Sequence, residues 1–276
     1  MSSPALQDIV ALLGCPAAGN PAQYLFERAI EATGIDCRFL TFDVAVDRLA
    51  DALAGVAAMG FRGCLLSGPL RTAAAGLVGS LTPTAAFSGA VNLVERQGHA
   101  LVGHMTEGRG LVESLRSHAD PAGTHVLLLA AGGAGRAAAL ELALAGAASI
   151  TVCDCDAAQA AGLVESLTAL QTAARMIEWQ AELPVPAEID ILVSAIPAAS
   201  GRPGPRLLGL RGDVVVAEMA LVPPPSPLAH EAGVAAACMV DGVEINGMRA
   251  AIDFQTLTGC ATDADVMRDA LDEFLS

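Results

Sequence analysis

The sequence predicts an α/β protein of two successive parts, each built on a parallel sheet. Two observations carry this. Short apolar runs alternate with helical patterns from Ile9 to Ser67 and again from His125 onward, and strands separated by helices are the mark of a parallel sheet covered on both faces. At residues 130–135 a glycine-rich turn stands directly between an apolar run and a helical pattern, the arrangement of a doubly wound dinucleotide-binding unit. A length of 276 residues with 53% hydrophobic content suffices for two buried cores.

In the first part the apolar runs 9–13, 37–42 and 63–67 read as strands, and the segments 21–33 and 48–59 between them as helices. In the second part residues 126–130 form a buried strand, 132–146 a turn and helix, and 149–153 a second strand. Further strands are expected at 189–195 and 213–217, and the proline run 223–225 reads as a rigid turn. The chain shows no internal repeat.

Composition excludes several classes. A net charge of −15 repels phosphate backbones, and the arginines are scattered along the chain, so no nucleic-acid partner is expected. The longest apolar stretch, 126–152, is interrupted by Arg136, Glu141 and several glycines, short of the roughly 20 apolar residues a membrane span needs. No basic segment precedes the first apolar run, so the expected location is the cytoplasm. The seven cysteines are odd in number and lack CxxC spacing, which argues for small core residues instead of a disulfide framework or metal cage. All 15 basic residues are arginine, so no lysine-based mechanism is open to this chain.

The candidate dinucleotide site is the segment AAGGAGRA, 130–137. Gly132 and Gly135 hold the second and third positions of GxGxxG and Ala130 the first, a departure that is tolerable if that turn needs no positive φ. Gly132, Gly133, Ala134 and Gly135 would bring backbone amides and a helix N-terminus to a pyrophosphate. Asp154 follows Gly132 by 22 residues at the end of the next strand, where an acidic residue hydrogen-bonds the adenosine ribose and repels a 2′-phosphate. With Asp156 beside it and no positive charge nearby, NAD is the expected cofactor and NADP the less favoured one. For each of these aspartates the alternative role is a cap on the following helix.

The blocks GFRGCLLSGPLR (60–71), SGAVN (88–92), GHMTEGRG (103–110), AAGGAGRA (130–137), DILVSAIP (190–197) and PSPLAHEAG (225–233) together resemble the shikimate and quinate dehydrogenase family, in that family's order and over nearly the whole chain. The resemblance implies a substrate-binding domain at 1–103, completed by C-terminal helices at 248–276, facing a Rossmann domain at 104–247 across a cleft. It also implies where chemistry occurs, and there this chain departs from the family. The serine pair that holds the acid substrate is matched by Gly19, Asn20 and Pro21, of which Asn20 can donate a hydrogen bond. In the segment like NVTIPHK the asparagine is Leu65, Ser67 remains polar, and the catalytic lysine is Arg71; its acidic partner is Glu107. Asn92 is retained, Arg249 stands near a substrate-contacting glutamine, and Ser194 and Met219 fall where the nicotinamide pocket is lined.

Arginine at position 71 changes the chemistry. Deprotonating it at pH 7 would cost on the order of 7 kcal/mol, so its open roles are to polarise a carbonyl or to clamp a carboxylate through its planar fork. The expectation is therefore an oxidoreductase acting on a small anionic hydroxy or keto acid other than shikimate, with Glu107 carrying the proton. A non-catalytic relative that keeps the ligand sites is the alternative, and the assembly is expected to be a monomer or homodimer.

Overall fold

The computed structural model describes residues 7–198, 201, 204–222 and 226–276. These divide into two compact units, 1–106 with 247–276, and 107–246. The proline run 223–225 lies outside the described residues.

The first unit starts with β1 (Asp8–Gly14), α1 (Ala22–Thr33), β2 (Cys37–Asp43), α2 (Leu49–Ala58) and β3 (Gly63–Leu66). It continues with α3 (Leu70–Ala74), β4 (Ser80–Leu81), α4 (Pro83–Ser88), β5 (Leu93–Gln97) and β6 (Ala100–His104). The strands form one sheet in the order β2-β1-β3-β5-β6-β4. β1 pairs in parallel with both β2 and β3, and its residues 10–14 are buried. Covered faces on both sides explain why this strand is a continuous apolar run instead of an alternating one. β5 runs antiparallel to β3 and forms a hairpin with β6, so this sheet is mixed. α1 ends at Gly34, whose left-handed backbone (φ 68°) lets its N–H close on the Ile30 carbonyl.

The second unit contains α5 (Glu107–Leu115), β7 (His125–Leu129), α6 (Gly133–Leu144), β8 (Ser149–Cys153), α7 (Ala157–Ala169) and β9 (Ala174–Met176). Then come β10 (Glu182–Pro184), β11 (Ile191–Ser194), β12 (Arg206–Leu208), β13 (Val215–Glu218), α8 (Pro227–Ala235) and β14 (Cys238–Val240). Its main sheet is parallel throughout, in the order β14-β13-β11-β7-β8-β9, the doubly wound arrangement. Gly108 of α5 lets α5 approach α6 closely, since a Cβ there would lie 2.2 Å from the Ala137 carbonyl oxygen.

Two helices complete the chain, α9 (Gly242–Thr258) and α10 (Ala264–Leu275); from Gly247 onward they belong to the first unit. Phe254 of α9 packs on Phe26 with ring centroids 5.5 Å apart, and Phe26 on Phe39 at 4.8 Å. The C-terminal helices thus supply part of the first unit's core. Among the described residues no helix is long and apolar enough to cross a membrane.

Candidate active site

In an open α/β sheet, ligands bind beyond the carboxyl ends of the strands, where neighbouring connections leave in opposite directions. In the first unit that point is between β1 and β3, because β1 has β2 on one side and β3 on the other. Ser67 follows β3 there, buried, with its N–H on the Leu13 carbonyl at 3.1 Å. Because β5 is antiparallel to β3, its start comes to the same edge: Leu66 N–H donates to the Asn92 carbonyl at 2.8 Å. The hairpin brings the end of β6 alongside, and Asn92 N–H donates to the His104 carbonyl at 3.0 Å.

Asn92 and Thr106 hold one another at this edge. Thr106 N–H donates to Asn92 Oδ1 at 2.7 Å, and Asn92 Nδ2 donates to Thr106 Oγ1 at 2.7 Å. The Thr106 hydroxyl in turn donates to Asp253 Oδ1 of α9 at 2.6 Å. All three side chains are buried, and Asp253 is 1% exposed. A buried carboxyl group is costly without hydrogen-bond partners, and Thr106 is one of them. One Asn92 N–H stays outside this chain of bonds. Thr106 and Asp253 stand beside the candidate Asn92 and carry no signal in the motifs that single it out.

Arg71, half-buried in α3, is fixed at its root: Nε donates to the Leu66 carbonyl at 3.1 Å, and its own carbonyl accepts from Val91 N–H at 2.9 Å. The same Leu66 peptide links to Asn92, so Arg71 and Asn92 are braced by one segment. Asn20 has a local role, its Oδ1 accepting from Ala22 N–H at 3.0 Å at the start of α1. Arg249 is half-buried on α9, one helical turn before Asp253.

In the second unit the corresponding point lies between β7 and β11. The turn after β7 carries Gly132, Gly133, Ala134 and Gly135 into α6, and no side chain caps that helix. Its first amides therefore remain for an anion. A Cβ on Gly135 would stand 2.0 Å from the Ala130 carbonyl oxygen, whereas the nearest atom to a Cβ on Gly132 is 4.0 Å away. The cradle thus fits a dinucleotide pyrophosphate, with glycine demanded by helix packing at 135 and open space at 132. Ala130 has φ 77°, so the first position of the fingerprint does require positive φ, contrary to the condition set for tolerating alanine there. Ser194 ends β11 and accepts, through its carbonyl, the Met219 N–H at 2.9 Å; both side chains are buried. Met219 is held on its other side, where Asn246 Nδ2 donates to its carbonyl at 2.9 Å.

Asp154 follows β8, and its carboxylate braces the backbone: Oδ2 accepts from Ala131 N–H at 2.6 Å and Oδ1 from Asp156 N–H at 2.8 Å. Asp156 caps α7, accepting from the amides of Ala158 and Gln159 and from the Gln159 side chain, and these bonds hold its carboxyl below the usual range. Glu107 is the first residue of α5, half-buried. Glu218 ends β13 with its Oε2 accepting from Ser226 Oγ at 2.5 Å, and burial pushes its carboxyl up.

The family model for the shikimate dehydrogenase substrate binding domain matches residues 12–94. A shikimate dehydrogenase (NADP(+)) from Citrifermentans bemidjiense is 30% identical over 95% of this chain and 94% of its own. Among solved structures, ligand-free 5-ketofructose reductase of Gluconobacter sp. strain CHM43 superposes with a TM-score of 0.91 and 31% identity, covering 98% of this chain and 99% of the other. Shikimate 5-dehydrogenase from Thermus thermophilus, in complex with NADP(H) and shikimate, gives 0.81 and 26% identity over 97% and 99%. These findings overturn the expectation of NAD: the curated relatives are NADP(+) enzymes by name, and a neighbouring structure holds NADP(H). The expectation had assumed an Asp154 carboxylate turned to the ribose, whereas both its oxygens are engaged by backbone amides.

Proposed function

Because the chain belongs to the shikimate dehydrogenase family, we propose that it is an NADP-dependent oxidoreductase that interconverts a ketone and a secondary alcohol on a small polyhydroxylated substrate, with shikimate itself used poorly. The observation that carries this reading is the Asn92–Thr106–Asp253 chain at the carboxyl edge of the first sheet. It places a buried acid one helical turn from Arg249 and beside the edge where the family's serine pair, which would hold a carboxylate, is replaced by Gly19 and Asn20. An edge without the family's carboxylate clamp suits a neutral polyhydroxylated ligand better than an acid. The likeness to 5-ketofructose reductase supports the same substrate class, a polyhydroxy ketone, over the anionic acid expected from the sequence.

The amides of Gly133, Ala134 and Gly135 would hold the pyrophosphate, and Ser194 and Met219 would line the nicotinamide. A nicotinamide held there would supply reversible hydride exchange. Arg71 polarises the substrate oxygen, its guanidinium steadied by the Leu66 carbonyl. Glu107 carries the proton that joins or leaves that oxygen. Asn92, rigidly set by Thr106, offers its remaining N–H to a substrate hydroxyl.

Thermal unfolding with NADP+, NADPH, NAD+ or NADH tests the binding half of this reading. A nucleotide at a hundred times its dissociation constant stabilises by about 2.7 kcal/mol. The expected result is a larger shift with NADP(H) than with NAD(H); no shift with any nucleotide overturns it.

A further inference from the structure

Away from the nucleotide-binding edge, the second unit holds three side chains joined in series. Cys238 opens β14, at the amino end of the strand that pairs with β13, and is exposed. Its Sγ lies 3.5 Å from His118 Nδ1. The other ring nitrogen, Nε2, lies 2.9 Å from Glu244 Oε1 and 3.2 Å from Oε2. His118 is in the turn after α5, its N–H on the Leu115 carbonyl, and Glu244 is in the first turn of α9. The side chains of His118 and Glu244 are each less than a third exposed, at 28% and 29%.

We propose that Cys238, His118 and Glu244 form a nucleophilic thiol site that exchanges with small disulfides. A nucleophile within hydrogen-bond reach of a base, with that base oriented by a third group, is the arrangement that activates a weak nucleophile. The bonds also set the tautomer: with Nε2–H donated to Glu244, Nδ1 is the lone pair that receives the thiol proton. Glu244 then faces the imidazolium that results. The thiolate attacks one sulfur of the disulfide, a new S–S bond forms as the old one breaks, and the departing thiolate takes the proton from His118. No external oxidant is required, because the disulfide itself accepts the electron pair.

The other thiols provide the contrast. Burial pushes Cys64 up to about 12 and Cys153 up to about 11, so neither presents a thiolate. Cys155 is exposed, as Cys238 is, and serves as the internal comparator. A metal role is not what the trio offers, since among the described residues no group of three His, Cys, Asp or Glu side chains is arranged to hold a metal ion.

The test treats the intact protein with a substoichiometric aromatic disulfide that releases a coloured thiolate, and locates the adduct by peptide mass spectrometry. The expected result is labelling of Cys238 ahead of Cys155, with His118→Asn slowing Cys238 by about a hundredfold, the low side of what a positioned base contributes. Glu244→Gln is expected to slow it less, and Cys155 to keep its rate in both variants. If Cys238 reacts no faster than Cys155, or if His118→Asn leaves its rate unchanged, the proposal is overturned. Should His118→Asn unfold and expose every thiol alike, the ranking in the unsubstituted protein and the Glu244→Gln rate decide, and parity with Cys155 in the first or an unchanged Cys238 rate in the second overturns it.

Discussion

Replacing Ala130 by glycine should stabilise this protein, against the usual direction of such a change. Ala130 sits at φ 77° at the first position of the glycine fingerprint, with its N–H on the Cys153 carbonyl at 2.9 Å and its own carbonyl against Gly135. A left-handed backbone costs an L-residue about 1–2 kcal/mol. Glycine removes that cost and adds about 0.4–1 kcal/mol of unfolded-chain entropy. The net gain is then between zero and about 1.6 kcal/mol, centred at about 0.8, or a rise in Tm of about 2–3 °C at the centre for a chain of this size. Urea unfolding followed by circular dichroism reads it as a higher midpoint at unchanged slope. An Ala130→Gly protein less stable by about 0.5–1 kcal/mol, the ordinary penalty of glycine against alanine, would refute the left-handed turn and with it the described geometry of the cradle.

Gly135→Ala places a Cβ 2.0 Å from the Ala130 carbonyl oxygen and should cost more than about 2 kcal/mol, with nucleotide-induced thermal stabilisation lost; calorimetry with and without NADPH reads both. Asp154→Asn turns an amide N–H toward one of two backbone donors, for an expected loss of about 1–3 kcal/mol in denaturant unfolding. Thr106→Val removes the hydroxyl between Asn92 and Asp253; a drop of about 2 kcal/mol or more in stability with a raised KM is expected, and unchanged kinetics would remove this chain from the site. Burial raises the Glu218 carboxyl, so the folded protein binds its proton more tightly than the unfolded chain, and stability from this group falls as pH rises from the ordinary glutamate value through the folded one. Glu218→Gln should therefore gain stability over the unsubstituted protein across that window and show no gain below it, in unfolding titrations at stepped pH.

The parallel strands were legible because burial on both faces leaves an uninterrupted apolar run: β1, β7 and β8 stand where their sequences place them. The hairpin of β5 and β6 was not, since LVERQ is apolar only at its start and its turn at Gly98 lacks the strong hairpin dipeptides. The glycine turn was found by its spacing, yet the strain at Ala130 is a backbone property that side-chain identity conceals. Asp253 escaped because its partner Thr106 is 147 residues distant; the available signal was an aspartate between Ile252 and Phe254, both buried in α9. Cys238 and His118 are likewise 120 residues apart and share no local motif. Asp154 does end the strand where its spacing places it, but that spacing could not disclose that both oxygens face backbone amides.

Turnover of a polyhydroxy ketone with NADPH is tested most directly by steady-state rates on one preparation. NADPH oxidation with 5-ketofructose is compared with NADP+ reduction by shikimate and by quinate. The predicted result is a kcat/KM for the ketone at least about a hundredfold above that for shikimate, with Glu107→Gln lowering the ketone rate by about a hundredfold while the thermal shift with NADPH persists. Shikimate oxidised as efficiently as the ketone is reduced, or no nucleotide consumed with any of the three, would contradict it.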